Sequence, residues 1–177
     1  MKNFHEINEK AIRGGIVFWG STYLSEVPVM ELARDYEIDS PVYNRSVPGM
    51  KISDMEGRMQ DCVCELQPEK VVLCVGEEEV SEEHFDEKAF LSSYEWILYE
   101  LHQKTGAEIV ILPVQSEHFN ALKVNEGLKK IAENYGCRYV ESAAFFPGRS
   151  LARFFKSITP HLRNHPLSFF EAMNLIG

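Results

Sequence analysis

Residues 15–24 read Gly-Ile-Val-Phe-Trp-Gly-Ser-Thr-Tyr-Leu: an apolar run at Ile16, Val17, Phe18 and Trp19 that stops at Gly20 and passes into the hydroxyl residues Ser21 and Thr22. Four consecutive apolar side chains without polar alternation predict a strand buried on both faces, as in a parallel sheet covered by helices on each side. Such a sheet requires further strands, each reached through a helix.

Helical spacing appears from about Val27 to Tyr36, with Pro28 tolerable in a first turn, and Ser40 to Tyr43 then predicts a short second strand. Ile52 to Leu66 reads as a helix and Val71 to Val75 as a third, clearly buried strand. An acidic turn begins at Gly76. A long amphipathic stretch then runs from about Asp86 to Lys104, and Gly106 stops it. Ile109 to Pro113 predicts a fourth strand. The stretch from Phe119 to Tyr135 predicts a helix closed by Gly136, and Arg138 to Val140 a fifth strand; from Ser168 the tail can form a last helix. Strand and helix alternate throughout, which predicts a three-layer αβα, flavodoxin-like domain with a five-stranded parallel sheet in the order 2-1-3-4-5 and right-handed crossovers. No repeat and no Pro/Gly/Ser-rich linker divides the chain, so residues 1–177 are expected to form one domain.

Composition narrows the function. With 177 residues, 45% of them hydrophobic, the chain can bury one sizeable core. Its formal net charge of -9 argues against a nucleic-acid partner, because backbone binding needs clustered Lys and Arg. The opening MKNFHEINEK lacks an apolar signal segment and no later stretch is apolar enough to span a bilayer, so a cytoplasmic protein with no membrane partner is expected. Cys62, Cys64, Cys74 and Cys137 have no second pair at zinc-ligand spacing and read as reduced, mostly core cysteines.

In open parallel sheets ligands bind beyond the carboxyl ends of the strands, which directs attention to Gly20–Leu24, Asn44–Met50, Gly76–Val80 and the loop before the last helix. At these four places the chain resembles the SGNH (GDSL-like) hydrolase family. The family's Gly-Asp-Ser block corresponds to Gly20-Ser21-Thr22, with Thr22 at the nucleophile; a slip of one residue would put Ser21 there. Asn44-Arg45-Ser46-Val47-Pro48-Gly49 resembles the second block, whose glycine N–H, here Gly49, donates to the oxyanion. The strand Val71–Val75 and Gly76-Glu77-Glu78-Glu79 resemble the third, with Glu78 in place of the oxyanion-binding Asn. His165-Pro166 resembles the final Asp-x-x-His-Pro block, with Leu162 in place of the Asp.

What the resemblance implies is an ester hydrolase with an altered site: Thr22 as nucleophile, His165 as base, Gly49 and position 78 at the oxyanion, and Asn44, Gly76 and Arg163 as binding positions. No cofactor and no metal are expected, and the ligand is expected to be a small acyl or acetyl ester or a carbohydrate. Threonine's methyl stiffens and crowds the hydroxyl. A carboxylate at position 78 offers acceptors only, where a donor is wanted. Two functions therefore stay open, a weak or atypical esterase and an inactive family member that binds a carbohydrate, acyl group or protein partner; homo-oligomerisation stays open too. A third reading gathers Glu77, Glu78, His161 and His165 as metal ligands. The acid-free stretch from Ser142 to Phe170, with Phe145, Phe146, Phe154 and Phe155 among Arg149, Arg153, Lys156 and Arg163, reads as a ligand pocket beside the cleft, a dimer face, or simply core aromatics with solvated charges. If the family register holds, Thr22→Ser, Glu78→Asn and Leu162→Asp together are expected to restore activity.

Overall fold

The buried run at residues 16–20 is β1 (Ile16–Gly20), all five positions of which are shielded from solvent. The computed structural model describes residues 3–143 and 150–164. In it β1 is flanked by β2 (Val42–Asn44) on one side and β3 (Lys70–Cys74) on the other. β4 (Glu108–Ile111) and β5 (Arg138–Tyr139) complete a five-stranded, wholly parallel sheet in the order β2-β1-β3-β4-β5. The predicted order and class are those observed. The register aligns Gly20 with Cys74, so β1 and β3 end at the same level and their outgoing loops meet.

Side chains alternate between two faces, and each face has its own helices. Val17, Trp19, Val71, Leu73, Ile109 and Ile111 share a cluster with α4 (Ile52–Cys62), α5 (Glu87–Thr105) and α6 (Phe119–Tyr135). Ile16, Phe18, Val72, Cys74 and Val110 face the other way. They pack against Leu24 of the single-turn helix α2 (Thr22–Ser25), Leu32 of α3 (Val29–Asp35) and four side chains of α7 (Leu151–Leu162). A further short helix, α1 (His5–Asn8), sits near the turn at residues 64–66. At about 1.5–3 kcal/mol for each fully buried large apolar side chain, this two-sided burial is the main term holding the layers together.

The helix stops follow local chemistry. Gly106 and Gly136 take left-handed φ of 64° and 66° at the ends of α5 and α6, where a glycine N–H can close the last turn. Asp86 caps α5 by accepting from the Ala89 N–H at 3.0 Å. The predicted helix over Ile52–Leu66 ends earlier, at Cys62, and continues only as a 3-10 turn over Cys64–Leu66, because Val63 leaves helical geometry with φ -130°.

The segment 151–162 departs from expectation. No helix is predicted there, yet α7 forms, with Ser150 at its N-cap and Phe154, Phe155, Ile158 and Leu162 on one buried face. Phe154 meets Tyr23 edge to face at 5.4 Å and Phe155 meets Tyr36 at 5.7 Å. These two phenylalanines are core and do not line a ligand pocket. Phe145, Phe146, Arg149 and the predicted last helix from Ser168 lie outside the described residues.

Candidate functional site

At the carboxyl end of β1 the chain must leave the sheet beside β3 with no room to spare. A Cβ on Gly20 would lie 1.9 Å from the Cys74 carbonyl oxygen, so glycine is required there by close backbone approach. The Ser21 N–H donates to that same oxygen at 3.1 Å. Ser21 is fully buried at the N-cap position of α2, whereas Thr22, the first residue of the helix, is half-buried with its hydroxyl among the outgoing loops.

Thr22 Oγ1 accepts from the Gly49 N–H at 2.9 Å and donates to Glu78 Oε1 at 2.8 Å. Three segments far apart in sequence, the ends of β1 and β3 and the loop after β2, thus converge on one hydroxyl. The Ser21 hydroxyl reaches the same carboxylate oxygen only at 3.5 Å. Glu77 accepts from the Tyr23 N–H at 2.7 Å, so consecutive glutamates hold the side chain and the backbone of α2's first turn, where amides have no partner inside the helix.

Gly49 reaches Thr22 because it adopts φ 74°, in the left-handed region that favours glycine. Its loop is tied to the sheet by the Val47 N–H, which donates to Gly20 O at 3.0 Å. On the far side of Gly49, Glu79 Oε1 accepts from the Ile52 N–H at 2.5 Å and Lys51 Nζ donates to Glu82 Oε1 at 2.5 Å. Glu79 is only 7% exposed, and burial raises the proton affinity of its carboxyl from the ordinary value. The sequence singled out Glu77 to Glu79 as one acidic run. That neighbouring glutamates grip different segments was not legible, since it depends on which way each side chain leaves the turn.

The other expected positions divide. Asn44 Nδ2 donates to Leu24 O at 2.6 Å and Val27 O at 3.1 Å, and its Oδ1 accepts from Ser46 N at 3.1 Å. Its polar atoms serve the backbone as a joint between β2 and the start of α3. Gly76, at φ 123°, is packed against Phe90 and Val114, the former 2.8 Å from where a Cβ would stand.

Arg163 lies at the opposite end of the sheet. It donates to Tyr36 O at 2.6 Å, and its own carbonyl accepts from Lys70 Nζ, on the first residue of β3, at 3.3 Å. Asn164 likewise approaches Glu69, at 3.3 Å. About 13 Å of strand separate that end from Cys74, at about 3.3 Å per residue. His165 lies outside the described residues.

Leu162 is 1% exposed inside the apolar cluster beneath α7, so it holds no position from which an acid could orient a histidine at Thr22. His161 is also remote, its proton affinity lowered by burial and by Arg138. That removes it from the metal-ligand set with Glu77 and Glu78, and no group of three or more such ligands occurs among the described residues.

Chemically, the site offers a hydroxyl with a carboxylate acceptor on one side and a fixed N–H on the other. A hydroxyl so held has its proton directed at a base and its lone pairs partly oriented.

No protein-family model matches the sequence, and no curated protein sequence matches it. Solved structures do. A lipase/acylhydrolase from Enterococcus faecalis aligns with a TM-score of 0.68 and 13% identity over 88% of this chain and 100% of that one. An acetylxylan esterase from Geobacillus stearothermophilus, solved as a catalytic mutant, aligns with a TM-score of 0.65 and 13% identity over 88% and 97%. The acetyl xylan esterase AlAXEase gives 0.62 and 19% over 71% and 76%. The chain therefore has the SGNH/GDSL-like hydrolase fold. At these identities the likeness is one of fold. No helix of the described residues is long and apolar enough to cross a membrane.

Proposed function

We propose that the protein is an atypical acyl-ester hydrolase that acts slowly on a small acyl or acetyl ester through Thr22, with Glu78 as proton acceptor. The supporting observation is the placement of the Thr22 hydroxyl between Glu78 Oε1, at 2.8 Å, and the Gly49 N–H, at 2.9 Å. Acetylxylan esterases and a lipase/acylhydrolase among the fold neighbours favour the same class of reaction.

In this scheme Oγ1 attacks the ester carbonyl carbon as its proton passes to Glu78. The carbonyl electron pair moves onto its oxygen, to which the Gly49 N–H turns. Collapse of the tetrahedral species breaks the bond to the alcohol, which leaves with the proton from Glu78, and an acyl group remains on Thr22. Water then attacks the acyl carbon as Glu78 takes its proton, and collapse breaks the bond to Oγ1, frees the acid and returns that proton from Glu78 to the Thr22 hydroxyl. A positioned base contributes roughly 10²–10⁴ in rate. A carboxylate close to the developing oxyanion opposes part of that gain, so a low rate is expected.

Hydrolysis of p-nitrophenyl acetate tests this, together with fluorophosphonate labelling read by intact mass. Thr22→Ala should abolish turnover and labelling, and Glu78→Gln should lower kcat about 100-fold. A faster Glu78→Gln enzyme would make Glu78 an obstruction and return the base to another residue. Absence of wild-type turnover and labelling above the Thr22→Ala level would remove the catalytic reading. That result would favour a cleft that binds without turnover, for which the observation is that the Thr22 hydroxyl already both donates and accepts within the chain.

A further inference from the structure

The acidic turn does more than touch Thr22. Glu78 and Glu79 are neighbours in the chain, yet Glu78 receives the Thr22 hydroxyl while Glu79 receives the backbone N–H of Ile52, the first residue of α4. Ile52 stands three residues after Gly49. Gly49 itself is exposed, and a Cβ there would meet nothing within 4 Å, while Val47 and Met50 on either side are buried in the core. The Met50 N–H closes the turn onto Val47 O at 3.1 Å, and hydrogen bonds fix the direction of the loop on either side, Val47 to Gly20 before Gly49 and Ile52 to Glu79 after it.

We infer that Glu79 is a positioning residue: by fastening the start of α4 to the same turn that holds Thr22, it sets where the Gly49 N–H stands relative to the Thr22 hydroxyl. Its catalytic meaning rests on the proposed ester chemistry; its mechanical part rests on the hydrogen bonds alone.

The turn is itself anchored. Val80 is fully buried, its N–H donates to Gly76 O at 3.0 Å, and its carbonyl accepts from Asn120 Nδ2 of α6 at 3.0 Å. A lever fixed at that point transmits little slack to either glutamate. Glu79 is also costly as mere surface chemistry. Its second oxygen, Oε2, is buried with no hydrogen-bond partner among the described residues, and burying an incompletely paired carboxylate is unfavourable. Had the N–H of Ile52 needed only an acceptor, Asp54 shows the cheaper local solution, since its exposed carboxylate accepts from the Lys51 N–H at 3.0 Å within α4's own first turn. Glu79 instead joins two segments 27 residues apart. Lys51 and Glu82, paired at the surface, are the charged groups that face it.

Amide hydrogen exchange over residues 46–52, beside kcat and KM for p-nitrophenyl acetate, tests the inference. Glu79→Ala should speed exchange of the Gly49 and Ile52 amides at least about fivefold while leaving the amides of β1 and β3 unchanged, and should lower kcat with KM unaltered. Glu79→Gln, which keeps an acceptor oxygen, should restore both. Ile52→Pro removes the donor from the other partner and is compatible with the backbone, because Pro is favoured at a first helical position and Lys51 before it is extended at ψ 163°. It should copy the Glu79→Ala effect on Gly49 even if Glu79→Ala does not fold. Unchanged exchange at Gly49 in a folded Glu79→Ala or Ile52→Pro variant overturns the inference, as does faster exchange spread equally over β1 and β3. If the wild type has no esterase activity, the proposed function fails, while the exchange result still decides the role of Glu79.

Discussion

Replacing Gly20 by alanine puts one methyl group where the structure has a carbonyl oxygen. The new Cβ would stand 1.9 Å from Cys74 O, 2.9 Å from Cys74 C and 3.1 Å from Leu24 Cδ1. Ordinary carbon–oxygen contacts are about 3.3 Å or longer, so β1 and β3 must separate locally by more than about 1 Å. That displacement breaks the 3.1 Å bond from Ser21 N to Cys74 O. A buried amide left unpaired costs about 1–3 kcal/mol, and forcing a methyl into a packed core costs about 1–3 kcal/mol more. The sum is about 2–6 kcal/mol. At about 2–4 °C per kcal/mol for a chain of this size, a middle value of about 4 kcal/mol lowers Tm by about 8–16 °C. Thermal and urea unfolding followed by circular dichroism measure it. Gly57→Ala is the internal control: that glycine is exposed within α4, its Cβ would meet nothing within 4 Å, and alanine there should stabilise by about 0.5–1 kcal/mol. The same substitution should thus have opposite signs at two positions. A Gly20→Ala protein that melts within about 2 °C of wild type would refute the close-approach argument.

Leu162→Asp, which the family pattern would offer as a repair, should instead destabilise by more than about 4 kcal/mol, because it removes a fully buried leucine and leaves a carboxylate in the apolar cluster under α7; a denaturant midpoint unchanged from wild type would contradict this. The thiols should be nearly inert in the native protein at pH 8. Burial pushes Cys62 up to about 12 and Cys137 up to about 11, and raises Cys64 and the fully buried Cys74, so the reactive thiolate is scarce. Reaction with a disulfide reagent should accelerate at least about 100-fold on unfolding in urea, and native Cys62 or Cys74 reacting at the rate of free cysteine would count against the packing described.

Much of the architecture was legible because each strand carries its own signal. Residues 16–19 and 71–75 are apolar without interruption, and Gly106 and Gly136 mark helix ends that the structure places where expected. The predicted helix at 119–135 coincides with α6. The helix at 151–162 escaped, although Phe154, Phe155, Ile158 and Leu162 repeat at helical spacing. Its basic residues and paired phenylalanines suggested a surface patch, and only the apolar face of the sheet opposite shows that the rings point inward. At Gly20, where the apolar run stops, the structure makes glycine a matter of distance to Cys74.

The sequence by itself therefore determined the αβα class, the strand order and the end of the sheet at which a site would form, since these follow from hydrophobic period and chain punctuation acting over a few residues. Only the tertiary structure decided which side chains meet. It joined Gly49 and Glu78, which the family resemblance had already placed beside Thr22, through the Thr22 hydroxyl itself, spent Asn44 on backbone carbonyls and put Arg163 at the far end of β3. It also turned adjacent glutamates, 78 and 79, toward different segments. The physical reason is that such contacts depend on strand register and on the angle at which each loop leaves the sheet, quantities set jointly by the whole core and encoded in no local stretch.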